Sequence, residues 1–145
     1  MRKWKTSALR KGRYSQPNQI YHLVLTTYQR QPFFRDYLLA RHAVISLRMS
    51  QKSVTTLAFV VMPDHIHWLI QLGEGISLSS AVKMLKALIS RKQGGKVWQQ
   101  GFYDHAVRQE EDLVDIARYI ILNPVRAGLC RTVREYPWWD SIYLE

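Results

Sequence analysis

Residues 57–72, LAFVVMPDHIHWLIQL, decide how this chain folds. Leu57 to Met62 is a continuously apolar run of the kind that forms a strand buried on both faces. Pro63-Asp64 interrupts it, because proline cannot donate to a central ladder and aspartate favours turns. A second strand follows from His65, and the two strands are expected to form an antiparallel hairpin. Alternation along the second strand puts His65, His67 and Leu69 on one face and Ile66, Trp68 and Ile70 on the other. The apolar face fixes the strand in a sheet while the two imidazoles converge on one side. That pattern has two readings: a pair of ligands for a divalent metal ion, or two hydrogen-bonded core histidines.

Outward from this hairpin, Ile20–Thr27 (IYHLVLTT) reads as a first strand. Asp36 can cap a helix beginning at Tyr37, in which Leu38, His42, Ile45 and Met49 recur at helical spacing as far as about Gln51. Beyond Gly73 and Gly75, Ser77 or Ser79 can cap a second helix with apolar positions Leu78, Val82, Leu85 and Ile89. Its other face carries Lys83, Lys86 and Ser90, and Gly94-Gly95 ends it. Val97–Val107 reads as a fourth, interrupted strand. The last helix starts near the acids Glu110, Glu111 and Asp112 and runs to Asn123-Pro124, with one further turn closed by Gly128. The order is β-α-β-β-α-β-α, which suits an α+β domain of the split β-α-β type, an antiparallel sheet with helices packed mainly on one face.

At 145 residues, 47% hydrophobic and 12% aromatic, the chain is long enough for one folded domain and too apolar for disorder. No apolar run approaches the roughly 20 residues of a membrane helix, and the N-terminus has no apolar signal core. Cys130 is the single cysteine, so no internal disulfide is possible and a cytoplasmic location is expected by elimination. Lysine and arginine number 21 against 11 acids, a formal charge of +10, which points to a polyanionic partner and above all to nucleic acid. Residues 1–14 form a basic arm carrying Arg2, Lys3, Lys5, Arg10, Lys11 and Arg13 without an acid. Such an arm tracks phosphates, although a solvated terminus has the same composition. Lys83 and Lys86 are the other candidate phosphate contacts.

On the last helix Leu113, Ile116, Ala117, Ile120 and Ile121 make the stripe that must pack on the sheet, and Tyr119 lies on its flank one turn before Asn123. A flank tyrosine is ordinarily an amphipathic packing residue. Joined with a histidine pair and a basic surface, it also suits phosphodiester cleavage. A metal on the two imidazoles polarises the phosphate, and the phenol oxygen attacks phosphorus to give a phosphotyrosine and a free 3′-hydroxyl. Asn123 is a candidate third ligand, and the resulting N/O set suits magnesium or manganese. His105 is assigned either to phosphate approach or to a structural hydrogen bond. His22 and His42 are expected to be packing or surface residues.

The segments Val61-Met62-Pro63-Asp64-His65-Ile66-His67, Phe102 to Arg108 (FYDHAVR) and Ala117 to Gly128 (ARYIILNPVRAG) resemble the REP-associated tyrosine transposases, relatives of the single-tyrosine insertion-sequence transposases of the HUH class. The similarity runs from about Tyr14 to the tail segment Tyr136-Pro137-Trp138-Trp139, within a domain taken as 15–145. It implies a ferredoxin-like HUH fold, dependence on a divalent metal, and cleavage and rejoining of single-stranded DNA at hairpin sequences. By residue matching, His65 and His67 correspond to the metal-binding pair, Tyr119 to the nucleophile and Asn123 to the helical residue that helps hold metal. The chain stops at Glu145, before many relatives do, so its site specificity is expected to differ. A hairpin-binding protein of DNA or RNA without turnover is the alternative, and the relatives include both monomers and homodimers.

Overall fold

The computed structural model describes residues 18–49, 51–91, 93–108 and 112–143. The basic arm, with Arg2, Lys3, Lys5, Arg10, Lys11 and Arg13, lies outside the described residues, as do Glu110 and Glu111. The sheet is built from β1 (Ile20–Thr26), β2 (Val54–Val61), β3 (His65–Leu72), β4 (Tyr103–Ala106) and β5 (Trp139–Ser141). Its order is β4-β1-β3-β2-β5 and every pairing is antiparallel. The first four strands thus have the arrangement of a split β-α-β domain, as expected from the element order. Strand β5, which no periodicity in the tail announces, adds to the free edge of β2.

Helices α1 (Tyr37–Arg48) and α2 (Leu78–Ser90) cover one face of the sheet. Tyr21, Leu23 and Leu25 of β1, Phe59 and Val61 of β2, and Ile66, Trp68, Ile70 and Leu72 of β3 point into that core. Trp68 is fully buried and its indole N–H donates to Thr56 Oγ1 at 3.0 Å; that hydroxyl donates in turn to the Leu47 carbonyl of α1 at 3.0 Å. The polar end of the largest core side chain is therefore satisfied, as burial requires. Helix α3 (Leu113–Ile121) lies on the opposite face, where Ala117, Ile120 and Ile121 pack with Leu57, Ala58, Val60 and Leu69. A β-bulge between Thr56 and Ala58 shifts the register of β2 against β3 there, next to the Leu57 that joins this second core.

The caps agree with the sequence: Asp36 accepts from the Leu38 and Leu39 amides, Ser77 from Ser80, and Asp112 from Val114 and Asp115. The apolar face assigned to α1 does not. Leu38, Ile45 and Met49 are exposed, and the buried residues are Leu39, Ala40, Ala43, Val44, Ser46 and Leu47. Both sets repeat at helical spacing; the set that carries Ala40 and Ala43 packs into the core, and the larger residues of the first set are left outside. The helix also ends at Arg48, short of Gln51. His42 packs as expected, its Nε2 lying 2.7 Å from the Leu88 carbonyl of α2. The interrupted fourth strand shortens to β4 plus an isolated bridge between Thr27 and Trp98. Among the described residues no helix is long and apolar enough to cross a membrane.

The corrected face of α1 has a direct test. Leu47, 1% exposed, should cost about 2–5 kcal/mol of unfolding free energy on substitution by alanine. Leu38→Ala, at a side chain 72% exposed, should change it by no more than about 0.5 kcal/mol. Urea denaturation of the two variants distinguishes the faces.

Candidate functional site

Because Ile66 and Trp68 are held in the first core, the pleat of β3 turns His65 and His67 to the other face, toward α3. Their ring centroids are 5.1 Å apart. Each imidazole is gripped through Nδ1. His65 Nδ1 lies 2.7 Å from Asp64 Oδ1, and His67 Nδ1 lies 2.9 Å from His22 Nε2. Both Nε2 atoms are thereby left as the nitrogens able to face a shared ligand, the usual division of labour when a histidine binds metal and its other nitrogen is tied behind it.

The turn after β1 clasps Asp64 from the far side. Thr27 gives its backbone N–H and its hydroxyl to the Asp64 carbonyl, each at 3.0 Å, and Arg30 Nε meets Asp64 Oδ2 at 3.2 Å. Gln29 and Arg30 reach this position with left-handed backbone, both at φ 52°, a conformation that costs energy in non-glycine residues and gathers at functional sites. Burial pushes the Asp64 carboxyl up, but the hydrogen bond and charge of His65 and the Arg30 guanidinium outweigh it, and the carboxyl settles below its ordinary value. It is therefore an anion at neutral pH that accepts from His65.

The nucleophile candidate arrives from α3. Tyr119, 45% exposed, has its ring centroid 6.4 Å from that of His67, edge to face at 85°. Helix α3 stops at Ile121, and Pro124 opens the short helix α4 (Asn123–Arg126), which ends ahead of Gly128 at φ 76°. This break brings two side chains back onto Tyr119. Asn123 Nδ2 donates to the Tyr119 and Ile120 carbonyls at 3.3 and 3.1 Å, which engages the amide NH2 and leaves Oδ1 as the donor atom available to a cation. Arg126 donates to the Tyr119 carbonyl and lays its guanidinium 4.1 Å from the centre of the phenol ring.

The structure thus brings His65, His67 and Tyr119 together, with Asn123 bonded to the backbone of Tyr119. It does not bring the lysines of α2 to the same face. Lys83 is exposed on the helix that covers the opposite side, and Lys86 Nζ donates to the Gln99 and Gly101 carbonyls at 3.1 and 2.7 Å. His105 stands opposite His22 in the β1–β4 register. Sequence reasoning missed Asp64, His22, Arg30 and Arg126 as parts of the site. The signal for His22 was present: it alternates with Tyr21 and Leu23, so once those face the core His22 must share the face of His65 and His67.

As to a cation, among the described residues no group of three His, Cys, Asp or Glu side chains stands ready to hold one. The Nε2 atoms of His65 and His67 with the Asn123 amide oxygen would make a mixed N/O set, whose chemistry suits manganese or magnesium with water completing the shell and includes no thiolate.

An antiparallel sheet in this strand order, with paired histidines beside a helix-borne tyrosine, defines an α+β domain. The chain belongs to the IS200-like transposase family, whose model, described as Transposase IS200 like, matches residues 15–123. It is 33% identical over 105 residues to the REP-associated tyrosine transposase of Escherichia coli K12, covering 71% of this chain and 63% of that protein. A Haemophilus influenzae protein provisionally given the same name is 27% identical over 122 residues, covering 73% of this chain and 69% of that one. A solved REP-associated tyrosine transposase bound to a REP hairpin superposes with a TM-score of 0.73 at 26% identity, covering 96% of this chain and 82% of that one. The chain therefore spans under two-thirds of the length of the E. coli relative.

Burial lowers the His22 imidazole to about 3, with the charge of His105 adding to the effect. Burial also holds His67 well below its ordinary value, reinforced by His22, His65 and Arg126. In the unfolded chain both titrate near 6.5. Below that pH the unfolded state binds protons the folded state refuses, so their contribution to stability is full above about pH 6.5 and falls as pH drops toward the folded values. In metal-free buffer the unfolding free energy should fall between about pH 6 and pH 4 with a slope of up to about 1.4 kcal/mol per pH unit for each imidazole. His22→Gln should show a shallower slope in denaturant titrations over the same range.

Proposed function

We propose that the chain cleaves and rejoins single-stranded DNA at hairpin, REP-like sequences through a covalent phosphotyrosine on Tyr119, with magnesium or manganese held by His65, His67 and Asn123. The observation that carries this reading is the edge-to-face approach of His67 and Tyr119, which joins an imidazole pair from β3 to a phenol from α3 across 6.4 Å between ring centroids. The choice of DNA is supported by the relatives: the E. coli protein carries REP association in its name, and the solved transposase holds a REP hairpin.

His65, His67 and Asn123 would hold the cation, which when bound would draw charge from the scissile phosphate and offset the charge that builds on its oxygens. The protein supplies the rest. The Tyr119 phenol oxygen forms the new bond to phosphorus as the bond from phosphorus to the 3′ oxygen breaks. The phenol proton passes to solvent and the departing 3′ oxygen takes one up, leaving a 5′-phosphotyrosine and a 3′-hydroxyl. A second 3′-hydroxyl reverses the step, so the energy of the phosphodiester is conserved and no nucleotide cofactor is required. Arg126, stacked on the phenol, holds the ring and adds a fixed positive charge beside the incoming phosphate. The exposure of Tyr119 suits a substrate as large as a folded DNA strand, and the +10 charge supplies sequence-independent attraction to it.

The test is chemical. A labelled hairpin oligonucleotide incubated with the protein and manganese should give an adduct that survives denaturation and disappears in Tyr119→Phe. Adduct persisting in that variant would defeat the assignment of the nucleophile. Unchanged hairpin affinity with and without manganese, together with no cleavage product, would select the non-catalytic hairpin binder instead.

A further inference from the structure

We infer that His22 is a positioning residue for His67, fixing by hydrogen bond which nitrogen of His67 is free to bind metal. The inference rests on the metal reading above and adds a residue to it. In the β1–β3 register His22 stands opposite Leu69 and His67 opposite Val24, so the two histidines are diagonal neighbours on one face. Their rings lie 5.2 Å apart between centroids, both are buried, and His22 Nε2 is 2.9 Å from His67 Nδ1.

A contact between two imidazole nitrogens is a hydrogen bond only if one of them carries the proton, and the two possibilities have opposite consequences. When His67 Nδ1–H donates, His67 Nε2 keeps its lone pair and can be a ligand. When His22 Nε2–H donates, a neutral His67 carries its proton on Nε2 and cannot. For His65 the choice is already made, because the Asp64 carboxylate that meets its Nδ1 is an anion and can only accept. His67 has no carboxylate in that place. Its ligand form is decided by a second imidazole that must itself be the Nδ1–H tautomer, with Nε2 accepting. The two ligands of the pair are therefore fixed by different chemistry, one by an anion and one by a neutral ring.

Manganese affinity, read from the electron paramagnetic resonance signal of free Mn2+, tests this on the full chain. His22→Phe, which fills the same space without an acceptor, should weaken binding by about 10- to 100-fold, the usual effect of losing the group behind a metal-bound histidine. His22→Gln, whose amide oxygen can accept in the place of Nε2, should recover most of that loss, and a packing role alone would not separate the two. His22→Phe binding as tightly as the parent while His67→Ala loses the ion would overturn the role of His22 and leave the metal reading standing. Absence of binding by the parent chain would overturn both. Long-range 15N NMR of the metal-free parent gives a readout independent of any variant: His67 should be protonated at Nδ1 and bare at Nε2, and the reverse tautomer would sink the inference.

Discussion

The site depends on the burial of Ile66, Trp68, Ile70 and Leu72 on one face of β3. Each such side chain contributes about 1.5–3 kcal/mol when withdrawn from water, and all four lie in the core beneath α1 and α2. A strand has a period of two, so this burial leaves His65 and His67 no choice of direction. A slip of one residue would drive both imidazoles into the apolar core and carry four large apolar side chains to the other face. Functional geometry here is a by-product of hydrophobic register. β3 is central in the sheet, bonded to β1 and β2 along its length, so the platform beneath the histidines is among the firmest parts of the molecule.

Against that firm platform stands a short and interrupted helical segment. Helix α3 spans only Leu113–Ile121 and is held to the sheet through Ala117, Ile120 and Ile121, with Leu113 and Ile116 packed beside them. What stiffens the phenol is local: the Asn123 amide and the Arg126 guanidinium both return to the Tyr119 carbonyl, and the guanidinium also covers the ring. The break between α3 and α4 thus serves the site, because side chains four and seven positions after Tyr119 donate to its carbonyl.

The main architecture could be read from residue patterns. Pro63-Asp64 marked the hairpin, the alternation of β3 set the faces, and Asp36, Ser77 and Asp112 marked helix starts because a side-chain oxygen at that position meets otherwise unpaired amides. The face of α1 was misread because two sets of residues share its periodicity, and spacing alone carries no information on which of them meets the sheet. In the site, the histidine pair and the flank tyrosine were legible individually from strand and helix periods. Asp64 was legible only as a turn former, since its bond to His65 is a matter of side-chain direction and its bond to Arg30 depends on the left-handed turn at Gln29 and Arg30. His22 could be placed on the face of His65 and His67 from its alternation with Tyr21 and Leu23, but its pairing with His67 needed the β1–β3 register, and the return of Arg126 onto Tyr119 needed the packing of α4, neither of which a single chain of letters contains.

The second core joins parts of the molecule that are far apart in sequence. Ala117, Ile120 and Ile121, which seat the tyrosine helix, share it with Val133, Tyr136, Trp139 and Tyr143 from the segment after Gly128. Tyr136 gives its hydroxyl to the Val61 carbonyl and Trp139 pairs with Val60, so the same tail is stitched to the sheet edge. The tail thus packs against both the sheet edge and the helix that bears the phenol. A change of volume at Tyr136 or Trp139 would therefore be felt at the seat of Ala117, Ile120 and Ile121, and through it at the setting of Tyr119, without any contact to the phenol itself.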